Sequence, residues 1–354
     1  MLKPMTGNLL EADAEALVNT VNTVGIMGKG IALQFKQAFP ANFKAYKLAC
    51  DRGQVQLGHM FVVPTAKLEN PRYIINFPTK KHWKSRTRLD DVEAGLRDLV
   101  RVIEEYQIKS IAVPPLGCGN GGLDWRDVRP MIERALGDLD GVEVLVFSPE
   151  GAPAPDAMPV GTTRPRMTPG RAAVVALLTN YLLPGYHATM LEMEKLTYLL
   201  QSAGEPLRLR FAKGQFGPYA ENLHHSLQSM EGHFIRGYGD RTAGATIKLL
   251  PGAVEEANRF LAAHPDSERR QRKVARLIDG FETPYLLELL ATVHWVAAHE
   301  SERTPNADEA VAKVHAWDAR KRRIFSEDHI HVAWERLNEE GWLTGADDPD
   351  SILV

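Results

Sequence analysis

Two glycine-rich loops, residues 25–30 and 117–122, each follow a strand-like apolar run and each precede a helical pattern. One such loop says little, because glycine is the default residue of any tight turn. A pair set in two strand–loop–helix units constrains the chain far more. It calls for an α/β layout in which backbone N–H groups are presented at two helix N-termini, an arrangement that holds a diphosphate from both sides. Between the loops, Thr79-Lys80-Lys81 reads as a turn that brings an ionisable amine close to whatever the diphosphate carries.

The first loop matches neither common nucleotide fingerprint. A P-loop needs glycine five residues before Gly28 and Ser or Thr after Lys29, where this chain has Thr23 and Gly30. The dinucleotide pattern G-x-G-x-x-G needs a third glycine where Leu33 stands.

Composition removes several other classes. With 42 Lys and Arg against 45 Asp and Glu, the net charge is −3, without the basic excess of a bulk nucleic-acid binder. Cys50 and Cys118 are the only cysteines, too few for a disulfide framework or a four-thiolate zinc site, and they fit a reducing cytosol. No apolar run approaches the roughly 18–20 residues of a membrane span, and residues 1–4 lead straight into a polar stretch. The expectation is a cytoplasmic protein with no signal peptide. The histidines show no Cys/His ligand spacing near either loop, so neither a metal nor a cofactor is expected.

At 354 residues there is room for two domains. Residues 151–170 read as a linker, broken by Pro153, Pro155, Pro159, Pro165 and Pro169 and loosened by Gly151, Gly161 and Gly170. Before it, residues 1–150 alternate strand signals (16–21, 59–64, 73–77, 110–113, 142–147) with helical ones (30–38, 89–105, 125–136). After it, 171–354 is mainly helical, with helices expected at 171–183, 192–203, 219–230, 253–264, 284–299 and 326–340. Thr168-Pro169 supplies the N-cap and first-turn proline of the first of these, and only 207–211 and 247–250 look strand-like.

The motifs Gly7-Asn8-Leu9-Leu10, Ala16-Leu17-Val18-Asn19-Thr20-Val21-Asn22, Gly28-Lys29-Gly30-Ile31-Ala32 and Pro115-Leu116-Gly117-Cys118-Gly119 together resemble a macrodomain, an ADP-ribose-binding module. Ile74-Ile75-Asn76-Phe77-Pro78-Thr79-Lys80-Lys81 is similar to the branch of human terminal ADP-ribose glycohydrolase, and within it to the DarG family of DNA ADP-ribosyl glycohydrolase antitoxins. The resemblance covers about residues 1–150. It implies a three-layer α/β fold around a central mixed sheet, followed here by the mainly α C-terminal domain. It also implies an ADP-ribose site built from Asn8 and Leu9 at the adenine edge, and from Thr20, Val21 and Asn22, with Asn22 meeting the distal ribose. Lys29, Gly30, Ile31, Ala32, Thr79, Gly117, Cys118, Gly119, Asn120, Gly121 and Gly122 complete it.

Lys80 is the catalytic candidate. Cleavage of a glycosidic bond leaves the anomeric carbon oxocarbenium-like or opened to an aldehyde, and a neutral amine attacks such a centre. The neighbouring Lys81 lowers that amine's pKa, while a bound diphosphate raises it. The human enzyme pairs its lysine with an Asp in the second loop; the corresponding residue here is Gly121. His82, Asp124 or a substrate phosphate stay open as the source of acid–base help, although Asp124 is also placed to open the helix after the loop. Cys118 reads as small packing in the loop.

By the same resemblance, the function is removal of ADP-ribose from thymine in single-stranded DNA, reversing a DNA ADP-ribosyltransferase toxin that is also the protein's partner. ADP-ribosylated DNA is then the substrate and ADP-ribose the product. Two alternatives stay open: a hydrolase of ADP-ribosylated protein carboxylates, and a non-catalytic ADP-ribose reader or toxin-binding antitoxin. Residues 327–354 carry eight acids against the single base Arg336, a charge pattern suited to a toxin's DNA groove or to a solvated tail. The basic clusters at 269–273 and 320–323 read as solvated helix faces.

Overall fold

A computed structural model describes residues 1–151, 157–182, 185, 187–238, 246–300 and 304–343. The chain divides into two compact units, Met1–Thr163 and a second that opens at Arg164.

In the first unit, β-branched and aliphatic runs form β1 (Leu2–Met5), β2 (Ala16–Asn22), β3 (Phe61–Pro64), β4 (Tyr73–Lys80), β5 (Ser110–Val113) and β6 (Glu143–Phe147). They make one sheet in the order β1-β6-β5-β2-β4-β3, parallel throughout except for the antiparallel edge strand β3. The central strand β2 is buried over nearly its whole length, as expected of a strand covered on both faces. The helices are α1 (Gly30–Ala38), α2 (Pro40–Asp51), α3 (Leu89–Glu105) and α4 (Trp125–Leu136). Val92, Leu96, Leu99, Ile132 and Leu136 of α3 and α4 pack with Val18, Ile75 and Phe77 on one face. On the other face, Phe35 of α1 packs with Leu17 and Ile74, and Tyr46 of α2 with Val21 and Met27. The three-layer α/β architecture with a mixed sheet is thereby realised. A Cβ at Gly95 would come within 2.3 Å of the Phe77 ring, so glycine lets α3 sit this close to β4.

Helix α2 and strand β1 were not foreseen. The apolar stripe of α2 is interrupted by Asn42, which is buried and exchanges hydrogen bonds with Asn76 (2.7 and 3.2 Å); Asn19 also donates to Asn76 (3.0 Å). This buried amide network pins α2 to β2 and β4. The expected turn at residues 79–81 is corrected as well: Thr79 and Lys80 are the last two residues of β4.

Beyond Glu150, part of the proline-rich stretch (152–156) lies outside the described residues. Residues 157–163 pack within the first unit rather than hanging free as a linker: Met158 is buried, and the Gly161 N–H donates to Gln37 O (2.9 Å).

The second unit is helical: α5 (Pro169–Leu182), α6 (Met190–Ser202), α7 (Leu223–Met230), α8 (Ala253–Ala262), α9 (Pro265–Ile278), α10 (Pro284–Ala298), α11 (Ala307–Trp317), α12 (Ala319–Ile324) and α13 (Glu327–Glu339). Helices α5, α6 and α10 are buried on most sides and form the centre. Residues 207–211 are not a strand; the short hairpin is instead β7 (Ala212–Gly214) and β8 (Gly217–Tyr219), and β9 (Ile235–Arg236) pairs with β10 (Lys248–Leu249). The basic clusters are only partly solvated faces. Arg270 pairs with buried Glu205 (3.2 Å), and Lys321 is fully buried against Glu288 (2.7 Å). A carboxylate kept ionised in a core is stabilised by a neighbouring cation, and these two acids take theirs from the clusters.

Candidate functional site

Because β5, β2 and β4 are adjacent and parallel, the loop after β2, the end of β4 and the loop after β5 leave the sheet at one edge. Open α/β sheets bind ligands beyond the carboxyl ends of their strands. Here the three segments touch. The Lys80 Nζ donates to Asn120 O (2.8 Å), and a Cβ at Gly30 would lie 2.9 Å from Asn120 Nδ2. The parallel strand β1 delivers Asn8 and Leu9 to the same edge, where Leu9 packs in the cluster that holds Ile31 and Phe35 of α1.

Lys80 owes its place to an irregularity. Val21 is paired with Pro78 and Asn22 with Lys80, so Thr79 is an extra residue in β4. Such bulges re-aim the adjoining side chain. Pro78 is the sequence sign of it, since proline in a covered strand is confined to edges and bulges. Thr79 is buried, with its hydroxyl on Val21 O (3.3 Å). Partial burial holds the Lys80 amine below the ordinary lysine value of 10.5.

The first loop is folded around Asn22. Its Oδ1 accepts from the N–H groups of Val24 (3.0 Å) and Ile26 (3.3 Å), its Nδ2 donates to Ile26 O (2.6 Å), and the Tyr46 hydroxyl donates to Asn22 O (2.5 Å). The amide expected at the distal ribose is thus turned into the loop and only 5% exposed. Lys29 is the N-cap of α1 and supplies no side-chain acceptor, so the first turn at Gly30, Ile31 and Ala32 keeps its N–H groups for an anion. Thr20 and Val21 lie within β2 beneath this loop.

The second loop works differently from expectation. Asp124 caps α4, accepting from Arg126 N (2.8 Å), so that helix N-terminus is already satisfied. What the loop offers is its own backbone. Gly117 and Gly122 take positive φ (+71° and +78°), and the turn closes through Leu123 N to Gly117 O (3.1 Å) and Gly122 N to Gly119 O (3.0 Å). The N–H groups of Gly119, Asn120 and Gly121 have no hydrogen-bond partner among the described residues. A Cβ at Gly119 would meet nothing within 4 Å, so this backbone faces open space. At Gly121 a Cβ would lie 2.3 Å from Gly117 O and 2.4 Å from Thr87 Oγ1. Only glycine fits there, so this position of the loop has no room for an acidic side chain.

Hydrogen bonds from the Arg126 side chain and backbone hold the Asp124 carboxyl at about 2, leaving it an ionised cap with no proton to give at neutral pH. Cys118 is pushed up to about 11 by burial, then by Asp124 and Asp127, and stays a thiol near Leu116 O (3.5 Å). Asn8 caps a short 3-10 turn (Leu9–Glu11) through Oδ1, which accepts from Leu10 N (3.1 Å), while its buried Nδ2 has no partner among the described residues. Sequence reasoning missed Tyr46 and Thr87. Thr87 is buried against Gly117 and donates its N–H to Gly121 O (3.0 Å). No local pattern marks either residue, because each acts through a loop distant in sequence.

Comparison with known proteins gives the family. Residues 18–132 match the Macro domain family. The chain is similar to the DNA ADP-ribosyl glycohydrolase of Thermus aquaticus, 51% identical over 343 residues, covering 97% of this chain and 94% of that protein. It is 45% identical to the DNA ADP-ribosyl glycohydrolase of Mycobacterium tuberculosis over 348 residues, 94% of this chain and 97% of that protein. A Thermosipho africanus DNA ADP-ribosyl transferase–DNA ADP-ribosyl glycohydrolase fusion protein is 32% identical over 170 residues, 44% of each chain.

Proposed function

The chain belongs to the DNA ADP-ribosyl glycohydrolase family, and on that premise we propose that it is an antitoxin that hydrolyses the linkage between ADP-ribose and thymine in single-stranded DNA. The observation that carries this is the Lys80 amine on Asn120 O, between the uncapped start of α1 and the open amides of the second loop. A diphosphate held by those two sets of N–H groups sets the distal ribose beside Lys80. The unpartnered Nδ2 of Asn8 suits an acceptor on the adenine edge.

The neutral Lys80 amine bonds to the anomeric carbon as the carbon–nitrogen bond to the base breaks, the electron pair leaving on the ring nitrogen, which takes up the proton that the lysine nitrogen gives up. Water then releases ADP-ribose from the lysine. The loops bind and Lys80 reacts, with no carboxylate needed at position 121. A target base is reachable only when single-stranded or extruded.

The second unit, in this reading, binds the DNA ADP-ribosyltransferase toxin. The Thermosipho fusion, whose name joins both activities, supports such a pairing. So do the exposed acids Glu335 and Glu339 on α13; Asp347, Asp348 and Asp350 lie outside the described residues. Among the described residues no helix is long and apolar enough to cross a membrane.

Lys80→Ala is the test. On ADP-ribosylated oligonucleotide it should cost at least ~100-fold in kcat, in the range of a lost catalytic group, with ADP-ribose affinity held within about tenfold. The wild-type kcat/KM, which reports the free enzyme, should rise with pH to a plateau with its midpoint below 10.5, because the amine reacts neutral and burial lowers its pKa. Full activity in Lys80→Ala removes the assignment. Preference for ADP-ribosylated protein in a parallel assay replaces the substrate.

A further inference from the structure

Residues 81–88 read Lys-His-Trp-Lys-Ser-Arg-Thr-Arg, without an acid, in a chain whose net charge is −3. All of 81–86 are exposed, and Trp83 is 47% exposed, a costly position for the largest apolar side chain. The segment is nonetheless fixed at both ends, and to the two loops of the site. The Lys81 carbonyl accepts from Thr23 N (3.2 Å) and Thr23 Oγ1 (2.9 Å) of the first loop, while Thr87 N donates to Gly121 O (3.0 Å) of the second. Between them, Ser85 N on His82 O (2.9 Å) and Lys84 N on His82 Nδ1 (3.3 Å) close a turn. Its apex is Trp83, whose ring is accompanied by the His82 ring (centroids 5.3 Å apart) and the Lys84 ammonium (4.9 Å) instead of by core residues. Arg88 is paired with Asp90, which leaves Lys81, Lys84 and Arg86 as the cations of the stretch.

We propose that this strap is a single-stranded DNA track across the mouth of the site, with Trp83 stacking a base that flanks the modified nucleotide and Lys84 and Arg86 meeting its phosphates. The inference rests on the glycohydrolase reading and deepens it, since it specifies how a polynucleotide is told from a free nucleoside. The chemistry fits that ligand: single strands are bound by aromatic rings interleaved with cations, stacking being tolerant of sequence because every base has a π-face. The strap begins one residue after Lys80, and the nucleic acid is attached beyond the ribose that Lys80 attacks. Val24 (41% exposed) and Ile26 (43%) on the neighbouring loop extend the apolar rim.

The test uses the full chain with two substrates, an ADP-ribosylated oligodeoxynucleotide and ADP-ribosylated thymidine. Trp83→Ala and the double variant Lys84→Glu/Arg86→Glu should each raise KM for the oligonucleotide at least ~10-fold with kcat unchanged, and Trp83→Phe should recover most of the loss. The double variant should also flatten the dependence of log affinity on log salt by about 1.4, or ~0.7 per phosphate contact on a single strand. Hydrolysis of ADP-ribosylated thymidine should be the same in every variant. Equal losses on both substrates would mean that the strap only supports the ADP-ribose pocket, and unchanged oligonucleotide KM would overturn the track. A loss confined to an ADP-ribosylated acidic protein would assign the strap to a protein partner instead. Anisotropy with an unmodified oligonucleotide reads the track without hydrolysis. A wild type that hydrolyses neither substrate but binds the unmodified oligonucleotide through Trp83 would therefore refute the glycohydrolase reading and keep the track.

Discussion

The two units carry their charged groups in opposite ways. In the first, Lys80 sits at a strand end on an open rim, its only partner among the described residues a backbone carbonyl, with amides around it that the described residues leave unsatisfied. In the second, Lys321 is 0% exposed and donates to Glu288 (2.7 Å), which also receives Arg320 on both oxygens (2.5 and 3.1 Å). Nearby, Lys195 donates to Pro218 O (2.6 Å), and Glu194, pushed up to about 7 by burial, accepts from Ala220 N (3.0 Å). Perturbed ionisation marks functional sites only in part, because structural networks perturb it too. Glu194 is displaced from its ordinary range yet sealed in a core, whereas Lys80 has room for a ligand. Access and open backbone donors, more than the size of a shift, separate chemistry from architecture.

The sharpest way to break this contrast is Glu288→Ala. It leaves Lys321 charged and buried without its acid, a loss of about 3–5 kcal/mol, to be read as a lower-melting transition of the second unit. ADP-ribose binding by calorimetry should persist below that transition; its loss would show that the units are not separable. Burial raises the Glu288 pKa, but hydrogen bonds from Arg320 and Lys321 outweigh it and hold the carboxyl below its ordinary range. A group depressed in the folded state stabilises above its unfolded pKa, and that contribution fades as pH falls through the folded value. Glu288→Ala should therefore blunt the acid sensitivity of the second unit.

Gly119→Glu probes the open rim. Its Cβ enters empty space and its φ is not positive, so melting should be unchanged. A carboxylate placed where the diphosphate is held should weaken ADP-ribose at least ~100-fold, about 2.8 kcal/mol. Retained affinity would remove the second loop from the site. The smallest effect is expected for Glu335→Lys/Glu339→Lys on the exposed face of α13. About a tenfold loss of toxin affinity at low ionic strength, shrinking as salt rises, would locate the interface there. An unchanged affinity would move it elsewhere on the second unit.

Much of the first unit was legible because its signals are local. The expected helices at 30–38, 89–105 and 125–136 and the strand at 110–113 coincide with α1, α3, α4 and β5. Helix α2 was not, because its buried face includes Asn42, polar in sequence and satisfied only by Asn76 of a strand. Helix α9 hid for a similar reason: its inner face begins with Ser267 and Gln271, and its basic residues masked the period.

The sequence by itself determined the α/β order, the two glycine loops, the lysine between them and the change to helix after the proline-rich stretch. These come from periodicity and from backbone rules that hold within a few residues. Only the tertiary structure decided that Asn22 turns inward to brace its loop, that Thr79 bulges to bring Lys80 beside Asn120, that Gly121 has no room for an acid and that Lys321 is buried. Each of these depends on an atom contributed from elsewhere in the chain, and spacing along one segment holds no record of the distance to another.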